Sequence, residues 1–103
     1  MRNQVLTQIG VGSTTPFSTD HYLTPFNIGF GVVVSGTVNY TVQHAFDDVI
    51  SVSTVWFNHP DVTSLTANQD GNYAFPVRWV RLTVNSGTGS ATMTLIQAGM
   101  PGR

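Results

Sequence analysis

Threonine and valine dominate this chain, 14 of each in 103 residues. Both lose χ1 freedom in a helix, so they work against one. No segment sets apolar residues at a 3.6-residue period among good helix formers. That leaves a β-protein. The stretch 24–48, TPFNIGFGVVVSGTVNYTVQHAFDD, organises the rest. Its centre reads as two strands joined by a tight turn at Ser35-Gly36, where glycine reaches positive φ without a Cβ clash. After the turn, Val38, Tyr40 and Val42 alternate with Thr37, Asn39, Thr41 and Gln43. A period of two separates an apolar face from an amide and hydroxyl face.

The remaining chain supplies further short strands. Residues 4–11 allow a first strand or an extended arm, with Val5, Thr7 and Ile9 on one side. Gly10 to Pro16 is loop chemistry, and without a lysine or a following helix it is no phosphate loop. Tyr22-Leu23 can form a short strand that Pro25 ends. Gly29 and Gly31 suggest a bulge, a bend or a close backbone approach within the strand 28–34. Val49 to Phe57 is β-branched and aromatic, which predicts a strand. Asn58 to Asp61 and Asn68 to Asn72 carry turn residues, the second with Asp-Gly at its centre. Val62 to Thr66 allows a short edge segment, and Tyr73 to Phe75 before Pro76 reads as a sheet edge. Val77 to Asn85 predicts a strand with Val80, Leu82 and Val84 on one face. A second turn at Ser86 to Gly89 leads into 91–97, with Met93 and Leu95 inward, and 98–103 read as a tail. Short strands separated by turn signals give an all-β antiparallel sandwich or roll. Residues 1–16 form an arm or first strand, and 17–103 one sandwich domain.

Ionic groups are scarce. Only 9% of residues are charged, with no Lys and no Glu, against about 25% in an average globular protein. A surface built from Thr, Ser, Asn and Gln lacks the mixed charge that keeps monomers apart. It fits a subunit that meets other protein over much of its surface; a neutral monomer is the alternative. Four scattered arginines make no phosphate-binding stripe, so nucleic acid is not an expected partner. No run approaches a membrane span, and the first residues lack the apolar core of a secretory signal. With no cysteine, thiolate metal sites are excluded.

No residue cluster demands a reaction. His44, Asp47 and Asp48 offer a metal a His and two carboxylates, but zinc normally takes three or four ligands, the nearest others, His59 and Asp61, sit in a different loop, and the aspartates fit turn positions. Asp20-His21 has no positioned Ser or Cys nucleophile beside it. We therefore expect no enzyme, no metal and no cofactor. The aromatic set Phe17, Tyr22, Phe26, Trp56, Phe57, Tyr73, Phe75 and Trp79 fits a core or an interface anchor. Adjacent Trp56 and Phe57 must point to opposite faces of a strand, so at least one leaves the core. Arg78 and Arg81 divide the same way, and either can bridge to Asp47, Asp48 or a neighbouring subunit. Residues expected at an interface are Arg2, Gln4, Phe17, His21, Tyr22, Trp56 and Arg81.

Three stretches, 24–48, VWFNHPD (55–61) and DGNYAFPVRWVRLTVNSGTGSATMTLIQ (70–97), resemble small structural proteins of tailed-bacteriophage heads. The resemblance implies a capsid decoration, or cement, protein with a β-sandwich or jelly-roll fold. Such a subunit is made in the host cytoplasm, sits on the outside of the virion, and bridges major capsid protein subunits. It also implies self-association as a trimer or dimer. No catalytic or binding motif comes with it. A carbohydrate-binding or fibre module of the same virion is the alternative, and a tail-tube or head-completion subunit is a third.

Overall fold

Val38, Tyr40 and Val42 are buried along one face of their strand in the computed structural model, with Thr41 of the opposite face covered as well; the structure describes residues 4–19, 23–47, 50–74 and 76–101, with 23–26 and 98–101 as backbone only. Among the described residues there are nine strands and no helix. They are β1 (Gln4–Ile9), β2 (Gly12–Ser13), β3 (Phe17–Ser18), β4 (Leu23–Ser35), β5 (Val38–Ala45), β6 (Phe57–Asn58), β7 (Gln69–Tyr73), β8 (Trp79–Gly87) and β9 (Ser90–Pro101). Sheet A runs β1-β9-β4-β7, and sheet B runs β2-β8-β5-β6 with β3 also on β8. All pairings are antiparallel.

The order is that of a jelly roll. β1 pairs with β9, β2 with β8, β4 with β7 and β5 with β6, as in one long double ribbon. The ribbon is rolled so that β9 also meets β4 and β8 meets β5, which closes an all-β sandwich with two inner faces.

Those inner faces are the apolar sets that the alternation predicts. Ile28, Phe30 and Val32 of β4 and Ala91, Met93 and Leu95 of β9 are buried on sheet A. Val38, Tyr40 and Val42 of β5 and Val80, Leu82 and Val84 of β8 are buried opposite them on sheet B. Val62 and Val77, from the connections, join the same cluster. Each valine, leucine, isoleucine, phenylalanine or methionine among them contributes about 1.5–3 kcal/mol when fully buried.

Ser35-Gly36 does not close a hairpin. β4 lies in sheet A and β5 in sheet B, so the chain crosses between sheets there. The turn at Ser86 to Gly89 is likewise a crossing, from β8 to β9, and Gly10-Val11 is a third, from β1 to β2. The three crossings stack: Gly10 N–H donates to Gly89 O at 3.0 Å, and Gly89 N–H donates to Thr37 O at 3.0 Å. The stack is so close that a Cβ on Gly89 would lie 2.2 Å from Ser35 O, and one on Gly87 2.2 Å from Thr37 O. Glycine is needed at both for lack of room.

Other expectations are corrected. Of the strand expected over Val49–Phe57, Val49 lies outside the described residues, and among residues 50–57 only Phe57 is strand, at the start of β6. Ser51 N–H donates to Thr54 Oγ1 (2.8 Å), and Thr54 N–H returns to Ser51 O (3.2 Å), so local side-chain bonds hold a turn where a ladder was expected. Asp70-Gly71 is no turn but the middle of β7, paired with Phe30 and Gly31. Gly71 is there because the Phe30 ring lies where a Cβ would be, 2.8 Å away. Gly29 and Gly31 mark no bulge, for their register with β7 and β9 is continuous. The irregularity falls between Thr24 and Asn27, at Pro25, which has no N–H to give a ladder. β4 runs through that proline, and β9 runs through residues expected as tail. Val62–Thr66 supplies only one bridge, Leu65 to Tyr40.

Candidate protein-contact surface

β5 ends with His44 and Ala45, and β6 pairs Phe57 directly opposite His44. That register stacks the two rings, centroids 5.8 Å apart and planes 21° from parallel. Phe46, just past the strand end, sets its edge to both, 5.5 Å from His44 and 5.6 Å from Phe57. Below them lies Tyr73, 5.0 Å from His44 and 4.9 Å from His59. Phe30 closes the series against His59 at 5.3 Å. A run of rings therefore leads from the core to the surface, where Phe46 and Phe57 are 50% and 47% exposed.

The polar atoms in this run are matched. Burial pushes the Tyr73 hydroxyl pKa up, so it stays protonated. Burial also lowers the His44 pKa, and nearby His59 adds to the effect. The Tyr73 hydroxyl and His44 Nδ1 share a hydrogen bond of 2.9 Å. His59 accepts Asp61 N–H at Nδ1 (3.1 Å) and donates from Nε2 to Asn72 O (2.9 Å). These contacts fix both rings as structural members. His59 meets the backbone of Asp61 in that bond, and among the described residues no three His, Cys, Asp or Glu side chains converge for a metal.

The connection into β6 adds apolar surface. Its local turn leaves Val52 fully exposed and Val55 60% exposed. Trp56 follows, and the Arg81 guanidinium lies 4.0 Å over its ring, a cation–π arrangement. Arg81 Nε also donates to Gln43 Oε1 at 2.8 Å, and Thr83 Oγ1 donates to the same oxygen at 3.0 Å. Arg78 covers Trp79 in the same way, 4.5 Å from its ring, and Trp79 Nε1 donates to Asp47 O.

Of the residues expected at an interface, Trp56 and Arg81 are brought together on sheet B. Gln4 starts β1 on sheet A, and Phe17 packs against the core from β3. Arg2, His21 and Tyr22 lie outside the described residues, as do Asp20 and Asp48. Neither arginine bridges to Asp47: Arg78 bonds Ser18 and Arg81 bonds Gln43. Sequence reasoning missed Phe46, which follows the end of a strand and so carries no periodic signal. Phe57 was legible through its adjacency to Trp56.

Sheet A has a different outer surface. Gly31, Val32, Val33, Asn68, Gln69, Asp70 and Thr94 line an open depression of about 460 Å³, with one acidic residue among two amides, a threonine and two valines. No family model, curated protein or solved structure matches this chain.

Proposed function

We propose that this chain is a structural subunit of a virus particle, a decoration protein on the outside of a tailed-phage head. One observation carries the reading: apolar side chains, Phe46, Phe57, Val52 and Val55, stand in solvent on a sandwich almost without ionic groups. Aromatic anchors on a charge-poor surface suit contact with protein. The jelly roll hosts viral shell and lectin domains alike, so the fold supports both that reading and the carbohydrate alternative. The indoles favour the shell. An arginine covers one face of each tryptophan, leaving less bare ring for a sugar to stack on.

The action is mechanical. A subunit seated across a seam between major capsid proteins buries surface on both, on the order of 1,600 Å² for a standard interface. Binding only the assembled shell stabilises it by mass action. The test mixes purified protein with isolated heads lacking it and sediments them. The wild type travels with the heads, and Phe46→Asp/Phe57→Asp stays behind while keeping its fold. A wild type that stays in the supernatant, or a double variant that binds unchanged, contradicts the proposal. Binding to a glycan array in place of heads would support the carbohydrate module.

A further inference from the structure

β1 is the outer strand of sheet A, and among the described residues it pairs with β9 alone. The phase of its ladder follows from two bonds. Gly10 N–H reaches Gly89 O, so by alternation Gln8, Leu6 and Gln4 turn their backbone groups toward β9. Val34, in register with Ala91 and through it with Gln8, donates its N–H the other way, to Asn68, which gives the same phase. Val5, Thr7 and Ile9 therefore turn their N–H and C=O groups to the open edge.

Such an edge is a template for another strand, and proteins usually blunt it with lysine, proline or a bulge. β1, QVLTQI, has no charge, no proline and an unbroken register. It is also complementary to itself. A two-fold axis at Thr7 pairs Thr7 with Thr7, Val5 with Ile9, and Ile9 with Val5. All three outward-bonding residues then find partners within the strand. Moving the axis to Leu6 or Gln8 carries one of them past the strand end. Their side chains form one row on the outer face of sheet A, β-branched throughout, of the kind that stabilises cross-strand pairs. Val5 and Ile9, 60% and 77% exposed in one copy, would cover each other.

We propose that two copies of this chain join along β1, antiparallel about Thr7. Their two sheets of four strands become one continuous sheet across the dimer axis. The open edge of β1 is the same whether or not the chain sits on a shell.

Sedimentation of the full chain across a wide concentration range tests it, with three variants. The wild type should give twice the chain mass at high concentration. Thr7→Pro removes an outward N–H without touching the β9 ladder and should give one chain mass with an unchanged circular dichroism spectrum. Should proline disturb folding, Thr7→Lys sets two like charges across the axis and should give the same loss of dimer. Thr7→Cys, the only thiol in the chain, should cross-link into a disulfide dimer under oxidation. Directly bonded antiparallel partners have Cα atoms about 5.5 Å apart, within disulfide reach. Thr92→Cys, on the neighbouring interior strand, should not cross-link. A wild type that stays monomeric or forms a trimer overturns the proposal. So does a folded Thr7→Pro or Thr7→Lys that dimerises like wild type, or a Thr7→Cys dimer that forms no disulfide.

Discussion

The two outer faces of this sandwich use the same residue types to opposite ends. On sheet B the amides and hydroxyls bond one another. Gln43 accepts from Arg81 and Thr83, Asn85 donates to Asn39 and Thr41, and Ser13 meets Thr83 at 2.8 Å. On sheet A, among the described residues, one such pair forms between neighbouring strands, Thr7 with Thr92 at 3.2 Å. Around it Val5, Ile9, Val33 and Ile96 stand exposed and Gly31 opens a depression. A polar face can thus be bound to itself or left available. Sheet B ties its outer amides and hydroxyls to one another and gathers its exposed apolar side chains at the Phe46–Phe57 end, whereas sheet A keeps apolar side chains across its face and a bare strand edge in solvent.

The comparison should fail first where the sheets are alike. Both depend on the stacked crossings, so Gly89→Ala should cost more than about 5 kcal/mol, the largest loss among these variants, because its Cβ meets Ser35 O. Urea unfolding measures it. Leu82→Ala in sheet B and Met93→Ala in sheet A remove side chains buried completely and should each cost about 2–5 kcal/mol. A large gap between those two would mean that the inner faces are not equivalent.

The outer faces should then separate. Gln43→Ala removes the acceptor shared by Arg81 and Thr83 and should cost about 1–3 kcal/mol. Thr94→Ala on sheet A should stay within about 0.5 kcal/mol. Equal costs in chemical denaturation would erase the contrast drawn between the two faces.

A smaller effect lies in pH. Burial, with His59 nearby, holds the folded pKa of His44 below its ordinary 6.5. Below 6.5 the unfolded chain binds the proton that the folded chain refuses. The stability His44 contributes is therefore complete above that value and is lost as pH falls toward the folded pKa. Melting temperatures at ~pH 7 and ~pH 5 should differ less in His44→Gln than in wild type. An identical pH slope in the two would remove His44 as the cause.

The inner faces were legible because period-two alternation reports which side chains are buried, whatever the strand pairs with. It does not report the partner. A two-residue loop at Ser35-Gly36 would pair Val32 with Asn39 and Phe30 with Thr41, laying apolar residues beside polar ones on one face. That mismatch is the local sign that the chain crosses between sheets there, and turn chemistry alone conceals it. The 49–57 segment misleads for a related reason. Valine favours strands only where a neighbour strand covers it, and Ser51 and Thr54 bind the backbone first. The aromatic surface was half legible. Trp56-Phe57 announces itself by adjacency, but Phe46 acquires its place only from the His44–Phe57 register.

The most direct test of the account is an electron cryomicroscopy reconstruction of the purified particle. The account predicts one sandwich-shaped density per copy on the outer shell, with the Phe46–Phe57 end seated on neighbouring capsid subunits. A shell reconstructed without that density, from particles that carry the chain in no other layer, would contradict it.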